Sequence, residues 1–459
     1  MTTLPLVQTA AEQVEQLRQG LDTPLLTRLT GIYGLVAMIA IAWSLSTDRR
    51  KVNWRLVGMG VVLQAVFAFL VLKTGVGRAL FTGANQVFVR LLGFTRDGAT
   101  FIFGNLVDPN VPVGLPIGVP SESSPLDSVQ MWASTGASFA FFVLPTIIFF
   151  SSLMSVLYYL GLMQRIVRSI AWVMQRTMGT SGAETLSVAG NIFVGQTESP
   201  LLIRPFVGGM TYSELNTVMV GGFATIAGGV MAAYVGMLSP YFPDIAGHLL
   251  TASVMNAPAA LLISKILVPE VSQPSTKGAV KLEVERTEAN VIEAAAGGAA
   301  QGLQLALNVG AMLLAFIALI SMLNFAVAGL GGLVGVEGLS LERIFGWVLA
   351  PLAWLMGVPW SDAPLVGSLI GVKAVVNEFV AYLQLAGTLD GGGLSPRAAI
   401  ISTYALLGFA NFSSIAIQIG GIGGIAPSRR SDLSRLGLRA MIGGNLAAFM
   451  SASLAGMLV

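Results

Sequence analysis

Long apolar runs alternate with short polar connections along most of the chain. Eight runs, at about 29–46, 57–73, 141–163, 211–238, 248–268, 298–332, 397–425 and 437–459, are long and apolar enough to predict helices that cross a hydrocarbon layer of about 30 Å. Residues 75–104 and 165–179 are amphipathic with scattered arginines and predict interfacial helices. Residues 105–130 are rich in Pro, Gly and Ser and predict a loop. Residues 1–28 lack a basic start followed by an apolar core, so they predict a polar helical lead-in rather than a signal peptide.

Lys and Arg orient the spans, because basic connections stay on the cytoplasmic side. Arg49, Arg50, Lys51 and Arg55 follow the first run; Arg165, Arg168 and Arg176 follow the third. Residues 265–286, from the end of the fifth onward, carry Lys265, Lys277, Lys281 and Arg286, and a loop expected near 426–436, before the last, carries Arg429, Arg430 and Arg435. The intervening loops near 105–130 and 239–247 carry neither Lys nor Arg. Alternation across eight spans places both termini outside.

That count works only if two further apolar segments do not cross. Residues 182–206 (GAETLSVAGNIFVGQTESPLLIRPF) and 360–385 (WSDAPLVGSLIGVKAVVNEFVAYLQL) are interrupted by Gly and polar groups. Each must enter and leave on one side as a re-entrant hairpin, the first from inside and the second from outside. Non-helical backbone at membrane depth is tolerated only where protein or a watery cavity satisfies it. The tips carry Glu198, flanked by Gln196 and Thr197, and Glu378, preceded by Asn377. A carboxylate at depth is costly unless partnered; the alternative is a charge at an interface that only marks a loop. Each hairpin precedes a span with a polar, Gly-containing middle: Thr225 lies 27 residues after Glu198, and Asn411 lies 33 after Glu378. Helix-packing glue explains Gly228 and Gly229 well, but Asn411, Ser413 and Ser414 together predict a helix unwound at its centre. Hairpin plus broken helix, twice and in opposite orientation, is the inverted-repeat logic of secondary transporters, with the site near the midplane.

The chain therefore divides into a lead-in (1–28), scaffold and interfacial helices (29–180), a first hairpin and broken helix (181–240), further scaffold helices (241–358), a second hairpin and broken helix (359–425) and a C-terminal helix (426–459). The predicted class is an all-α integral membrane protein with eight transmembrane helices around an inverted-repeat transport core.

Composition sharpens the picture. Apolar residues make up 54% and charged residues 10% of 459 positions, against about 25% charged in ordinary soluble domains, and mean hydropathy is +0.77. A net charge of +2 gives no reason to expect nucleic acid as a partner. The absence of Cys removes disulfides and thiolate chemistry. The one histidine, His248, starts an apolar run, where a helix-end or interfacial role competes with a proton relay. No Ser-His-Asp set and no Walker-type G-x-x-x-x-G-K-[ST] occurs, so neither a hydrolase nor direct ATP drive is expected. A passive channel is the rival of another class, but two opposed hairpins plug a path rather than line one.

Three segments carry a family resemblance. GNIFVGQTESPLLIRPF (190–206), KAVVNEFVAY (373–382) and GFANFSSIAIQIGGIG (408–423) resemble signatures of the concentrative nucleoside transporter family in order and spacing, within a likeness running from about residue 29 to the C-terminus. Ser199 departs from the family's usual Ala, beside the site rather than in it. The resemblance implies the bacterial form, without the extra N-terminal helices of animal members. It implies a homotrimer of eight-span protomers in the inner membrane, each importing nucleosides by cation-coupled alternating access. In that pattern Gln196, Thr197 and Glu198 match positions that hold the nucleobase. Glu378, Asn411 and Ser414 match positions that hold ribose hydroxyls, Phe409 an adjacent aromatic and Val230 an apolar contact to the base. Asn191, Val194, Thr225 and Ile226 match a sodium site made largely of carbonyls. The chemistry fits: Gln donates and accepts at a base edge, and a carboxylate accepts from two hydroxyls. Sodium, a hard ion, takes oxygen ligands, so it is the expected coupling ion; a proton carried by Glu198 or Glu378 is the alternative. Purine or pyrimidine preference is left open, and no organic cofactor is expected.

Overall fold

A computed structural model of the chain describes residues 23–108, 110–112, 132–134, 139–277, 288–333 and 335–459. The lead-in expected over 1–28 and the loop over 105–130 lie largely outside the described residues. Three helices open the described chain: α1 (Leu25–Ser44), α2 (Trp54–Lys73) and α3 (Gly75–Phe103). The side chains of Asn53 and Thr74 start the second and third by accepting from Leu56 N and Gly77 N. A short antiparallel ribbon pairs β1 (Asn110–Pro112) with β2 (Trp132–Ser134). After a turn of π-helix at Phe139–Val143 come α4 (Leu144–Tyr159) and α5 (Leu162–Met178). In α5 the buried residues Met163, Val167, Ala171, Met174 and Met178 repeat every three or four positions, which makes the amphipathic face expected over 165–179.

The first hairpin is asymmetric. It comprises α6 (Gly182–Gly190), a turn region over 191–198, a 3₁₀ turn at Ser199–Ile203 and the single-turn α7 (Arg204–Val207). The span after it is α8 (Tyr212–Ala224) and α9 (Gly228–Leu238), broken at 225–227. Next come α10 (Ile245–Leu267), α11 (Val291–Leu333) and α12 (Leu341–Leu355). The second hairpin is α13 (Ala363–Val375) and α14 (Glu378–Asp390). The run at 397–425 is α15 (Pro396–Leu406) and α16 (Phe412–Ile425), broken at 407–411, and α17 (Arg430–Leu458) closes the chain.

Seven helical stretches among the described residues are long and apolar enough to cross a membrane. The eighth expected run is the broken α15–α16 pair, whose pieces are each too short alone. The chain is thus an all-α membrane protein with the two hairpins and two broken helices anticipated from the sequence. Helix α17 packs against α1, α8, α10, α15 and α16 and forms the centre of the core.

Two expectations need correction. The basic stretch at 426–436 is mostly helix: only Pro427–Arg429 forms a 3₁₀ turn, and Arg430 and Arg435 lie in α17. Lys265 is not a solvated loop cation, because it ends α10 in a buried ion pair, 2.7 Å from Glu184 Oε2 and 3.3 Å from Glu270 Oε2. Glu184 and Glu214 also close capping boxes at the starts of α6 and α8, and Ser181 Oγ donates to Glu214 Oε1 at 2.5 Å. The root of the first hairpin is therefore tied to α8 and α10 by buried charge-assisted bonds. His248 has the helix-end place that was one of its readings, in the first turn of α10. It is buried where α3 covers the start of α10, between the rings of Phe81 and Phe242, with Nδ1 3.1 Å from the Tyr404 hydroxyl.

The two breaks meet. Gly408 has φ of +111°, and a Cβ there would lie 2.5 Å from Phe223 O and 2.9 Å from Ala224 O. Orphan carbonyls at the breaks find side-chain donors. Asn256 Nδ2 donates to Ala224 O (2.6 Å), Asn445 Nδ2 to Ala410 O (2.9 Å), and buried Lys373 Nζ to Ala405 O and Leu407 O (2.9 and 3.2 Å).

Candidate functional site

Two asparagines build the polar side of the site. Asn377 caps α14 and Asn411 caps α16, each accepting at Oδ1 from the backbone N–H three residues on, Val380 and Ser414, at 2.9 Å. Such caps are worth about 1 kcal/mol each, and they aim both helix N-termini at the same space. Asn411 Oδ1 also accepts from Ser413 Oγ at 2.7 Å. Its oxygen is therefore committed, and its Nδ2 must point away, where it donates to Glu378 Oε2 at 2.9 Å. The other carboxylate oxygen accepts from the Tyr234 hydroxyl at 2.9 Å. Tyr234, from α9, is held in place by the rings of Phe379 and Tyr382, with centroids 5.1 and 4.4 Å away. Each Glu378 oxygen thus has one protein donor and keeps acceptor capacity toward the cavity.

That cavity has a volume of about 480 Å³. All eight residues matched to substrate positions line it: Gln196, Thr197, Glu198, Val230, Glu378, Phe409, Asn411 and Ser414. They come from the first hairpin's turn, α9, the tip of the second hairpin and the second break, so segments up to about half the chain apart converge. Gln196 Nε2 donates to Ser414 Oγ at 3.2 Å across the two halves. Glu198 is exposed within this space and accepts from Thr197 Oγ1 at 3.0 Å. Helix α11 supplies an apolar wall through Leu305, Val309 and Met312, with Asn308 among them. Flat apolar surface with a few fixed polar groups suits a small ligand that has a planar ring and several hydroxyls.

The four residues matched to sodium lie outside that wall. Val194 lines an adjoining cavity of about 330 Å³, which shares Glu198 with the first. Asn191 is fully buried, and neither its Oδ1 nor its Nδ2 has a hydrogen-bond partner. Thr225 Oγ1 donates to Gly221 O at 2.9 Å, and Asn191 Nδ2 approaches the same glycine. Among the described residues the carbonyls of Asn191, Val194, Thr225 and Ile226 take no hydrogen bond from turns, loops or caps. Orphan oxygens where a hairpin turn meets a helix break fit a hard monovalent cation.

Sequence reasoning missed two residues. Tyr234 is the donor that completes the Glu378 setting, and Gln418 Nε2 donates to Gln196 Oε1 at 3.0 Å. The signal for Gln418 was its place four residues after Ser414, on one helix face. Tyr234 had no local signal.

Three family models match the chain: Na+ dependent nucleoside transporter N-terminus over residues 33–106, nucleoside recognition over 140–241, and Na+ dependent nucleoside transporter C-terminus over 248–456. An uncharacterized transporter of Haemophilus influenzae is 45% identical over 435 residues, covering 94% of this chain and 98% of that one. Sodium/nucleoside cotransporter 1 of Rattus norvegicus is 43% identical over 446 residues, covering 94% of this chain and 64% of its own length. Among solved structures, CNTnw in an inward-facing substrate-bound state is 43% identical with a TM-score of 0.82, covering 94% of this chain and 98% of that one. A substituted CNTnw in an outward-facing state gives a TM-score of 0.84 at 43% identity, covering 95% and 98%.

Proposed function

Because the chain belongs to the concentrative, Na+ dependent nucleoside transporter family, we propose that it is a sodium-coupled symporter that takes up nucleosides by alternating access. It is a membrane transporter and not an enzyme. The observation that carries the nucleoside reading is the Glu378 carboxylate. It is held by Tyr234 and Asn411 at one wall of a cavity whose opposite polar wall is Gln196, Thr197 and Glu198. A ribose offers two adjacent hydroxyl donors to such a carboxylate, and a base offers an edge to the amide and hydroxyl. Glu378, Asn411 and Ser414 would hold ribose, Gln196, Thr197 and Glu198 the base, and Val230 and Phe409 the ring faces. Sodium would sit on oxygens of Asn191, Val194, Thr225 and Ile226; the partnerless Asn191 side chain supports this. Helix α11, strongly apolar in its span window and with only 6% of that window buried, supports packing on lipid and on further copies in a homotrimer. The basic connections support a bacterial inner-membrane orientation with both termini outside.

The test is uptake of labelled uridine and adenosine into proteoliposomes with an inward sodium gradient, a pH gradient, or neither. Accumulation above the outside concentration only with sodium is expected. Accumulation that follows pH instead would transfer the coupling to a proton, and equilibration without accumulation would mean a channel.

A further inference from the structure

The hydrogen-bond chain ending at Ser414 begins at a main-chain oxygen, which gives it a direction. A carbonyl only accepts. Gln418 Nε2 lies 3.1 Å from Met219 O in α8, so that end of the Gln418 amide is its NH₂ group. The same NH₂ reaches Gln196 at 3.0 Å, which makes the atom it meets the Gln196 oxygen. The Gln196 NH₂ is then turned the other way, where it donates to Ser414 Oγ at 3.2 Å. One of its two N–H bonds is used there. The Ser414 hydroxyl accepts that bond, and its own proton has no acceptor among the described residues. Gln418 itself is fully buried and is not part of the cavity wall. The approach depends on Gly222 in α8: a Cβ there would lie 2.9 Å from Gln418 Nε2 and 3.0 Å from Gln196 Cβ.

We propose that Gln418 is a positioning residue that sets the polarity of the base-reading half of the cavity. It locks the Gln196 amide so that its NH₂ faces Ser414 and keeps a second N–H as a donor, and a base is read there by its acceptors. The proposal rests on the nucleoside reading above. A Gln196 without that lock turns its amide over at little steric cost and offers an acceptor instead. Uridine and cytidine share their ribose and nearly their shape but exchange donor and acceptor at ring nitrogen 3 and the adjoining exocyclic group. Their affinity ratio therefore reports the direction of Gln196 and is blind to ribose contacts.

Equilibrium binding of uridine and cytidine to the purified full chain is compared with Gln418→Met and Gln418→Glu. Methionine keeps the length and removes the donor. Glutamate accepts from Gln196 and holds its amide reversed. The ratio is expected to shift by about tenfold, the worth of one hydrogen bond, in the same sense for both and further for Gln418→Glu. A general loosening of the site would weaken both nucleosides alike and leave their ratio at its parent value. Gly222→Ala separates the same two amides without altering any polar atom; it must shift the uridine-to-cytidine ratio too and stands in if the buried substitutions do not fold. An unchanged uridine-to-cytidine ratio in variants that still bind overturns the proposal. Failure of the parent chain to bind either nucleoside overturns the functional reading instead.

Discussion

Glu378→Gln isolates the charge from the shape. Glu378 accepts from Tyr234 at one oxygen and from Asn411 at the other, both at 2.9 Å. Asn411 cannot turn its amide over, because its Oδ1 already accepts from Ser414 N and Ser413 Oγ. The substituted amide must therefore give its oxygen to Asn411 and its NH₂ to the Tyr234 hydroxyl, which has to reverse its role. One charge-assisted acceptor for a ligand hydroxyl is lost, worth about 1.5–3 kcal/mol, or about tenfold to a hundredfold in affinity. Equilibrium binding to purified protein should show that loss for uridine. It should show little loss for 2′,3′-dideoxyuridine or uracil, which have no vicinal hydroxyls to hold. Equal losses for all three ligands would refute the ribose assignment and leave Glu378 as a brace for the second hairpin.

Three other outcomes are expected. Thr225→Val keeps the shape but removes the hydroxyl oxygen next to Asn191, so half-maximal uptake should need more sodium; unchanged sodium dependence at normal expression would count against that ion site. Cysteines at Ser361 and Asp390, exposed at the two ends of the second hairpin, should both react with an impermeant reagent from outside, and reaction from opposite sides would end the re-entrant reading. Gly408→Ala must place a Cβ at φ of +111° against Phe223 O, so it should lower the melting temperature of the purified protein through strain of about 1–3 kcal/mol plus the clash; an unaltered melting temperature would show that the breaks do not touch.

Much of the architecture was legible because polar groups inside apolar runs are costly. Asn411 with two serines, and Glu198 and Glu378 with neighbouring amides, could stand there only where backbone or ligand satisfied them; the break at 407–411 ends on Asn411, and the one at 225–227 begins on Thr225. Seven of the eight matched cavity residues could be named because they cluster in three short motifs, and Val230 follows the first of them by 24 residues. Tyr234 escaped notice because a tyrosine in an apolar helix is ordinary, and its partner lies 144 residues away. Lys265 misled for the related reason that a lysine at the end of a span reads as a loop cation. Only the fold places Glu184 and Glu270 within reach of it. The run read as 298–332 extends to 43 residues as Val291–Leu333, since hydropathy reports the lipid-length window and not where helical hydrogen bonding stops.

Where one broken helix rests its backbone on the other, there is a mechanical result. Two gates on separate hinges would need slack at their pivots, so that one jaw could open while the other stayed shut. Gly408 against Phe223 and Ala224 leaves none, and Gln196 is bonded across to Ser414. Any change that turned the site from one face of the membrane to the other would carry the two halves together, as one carriage, with the ligand between them. The seam along which such a carriage would slip is α11, whose wall at the cavity is Leu305, Val309 and Met312 with Asn308 among them. A greasy track of that kind would let the load move without first stripping it of the partners that recognise it.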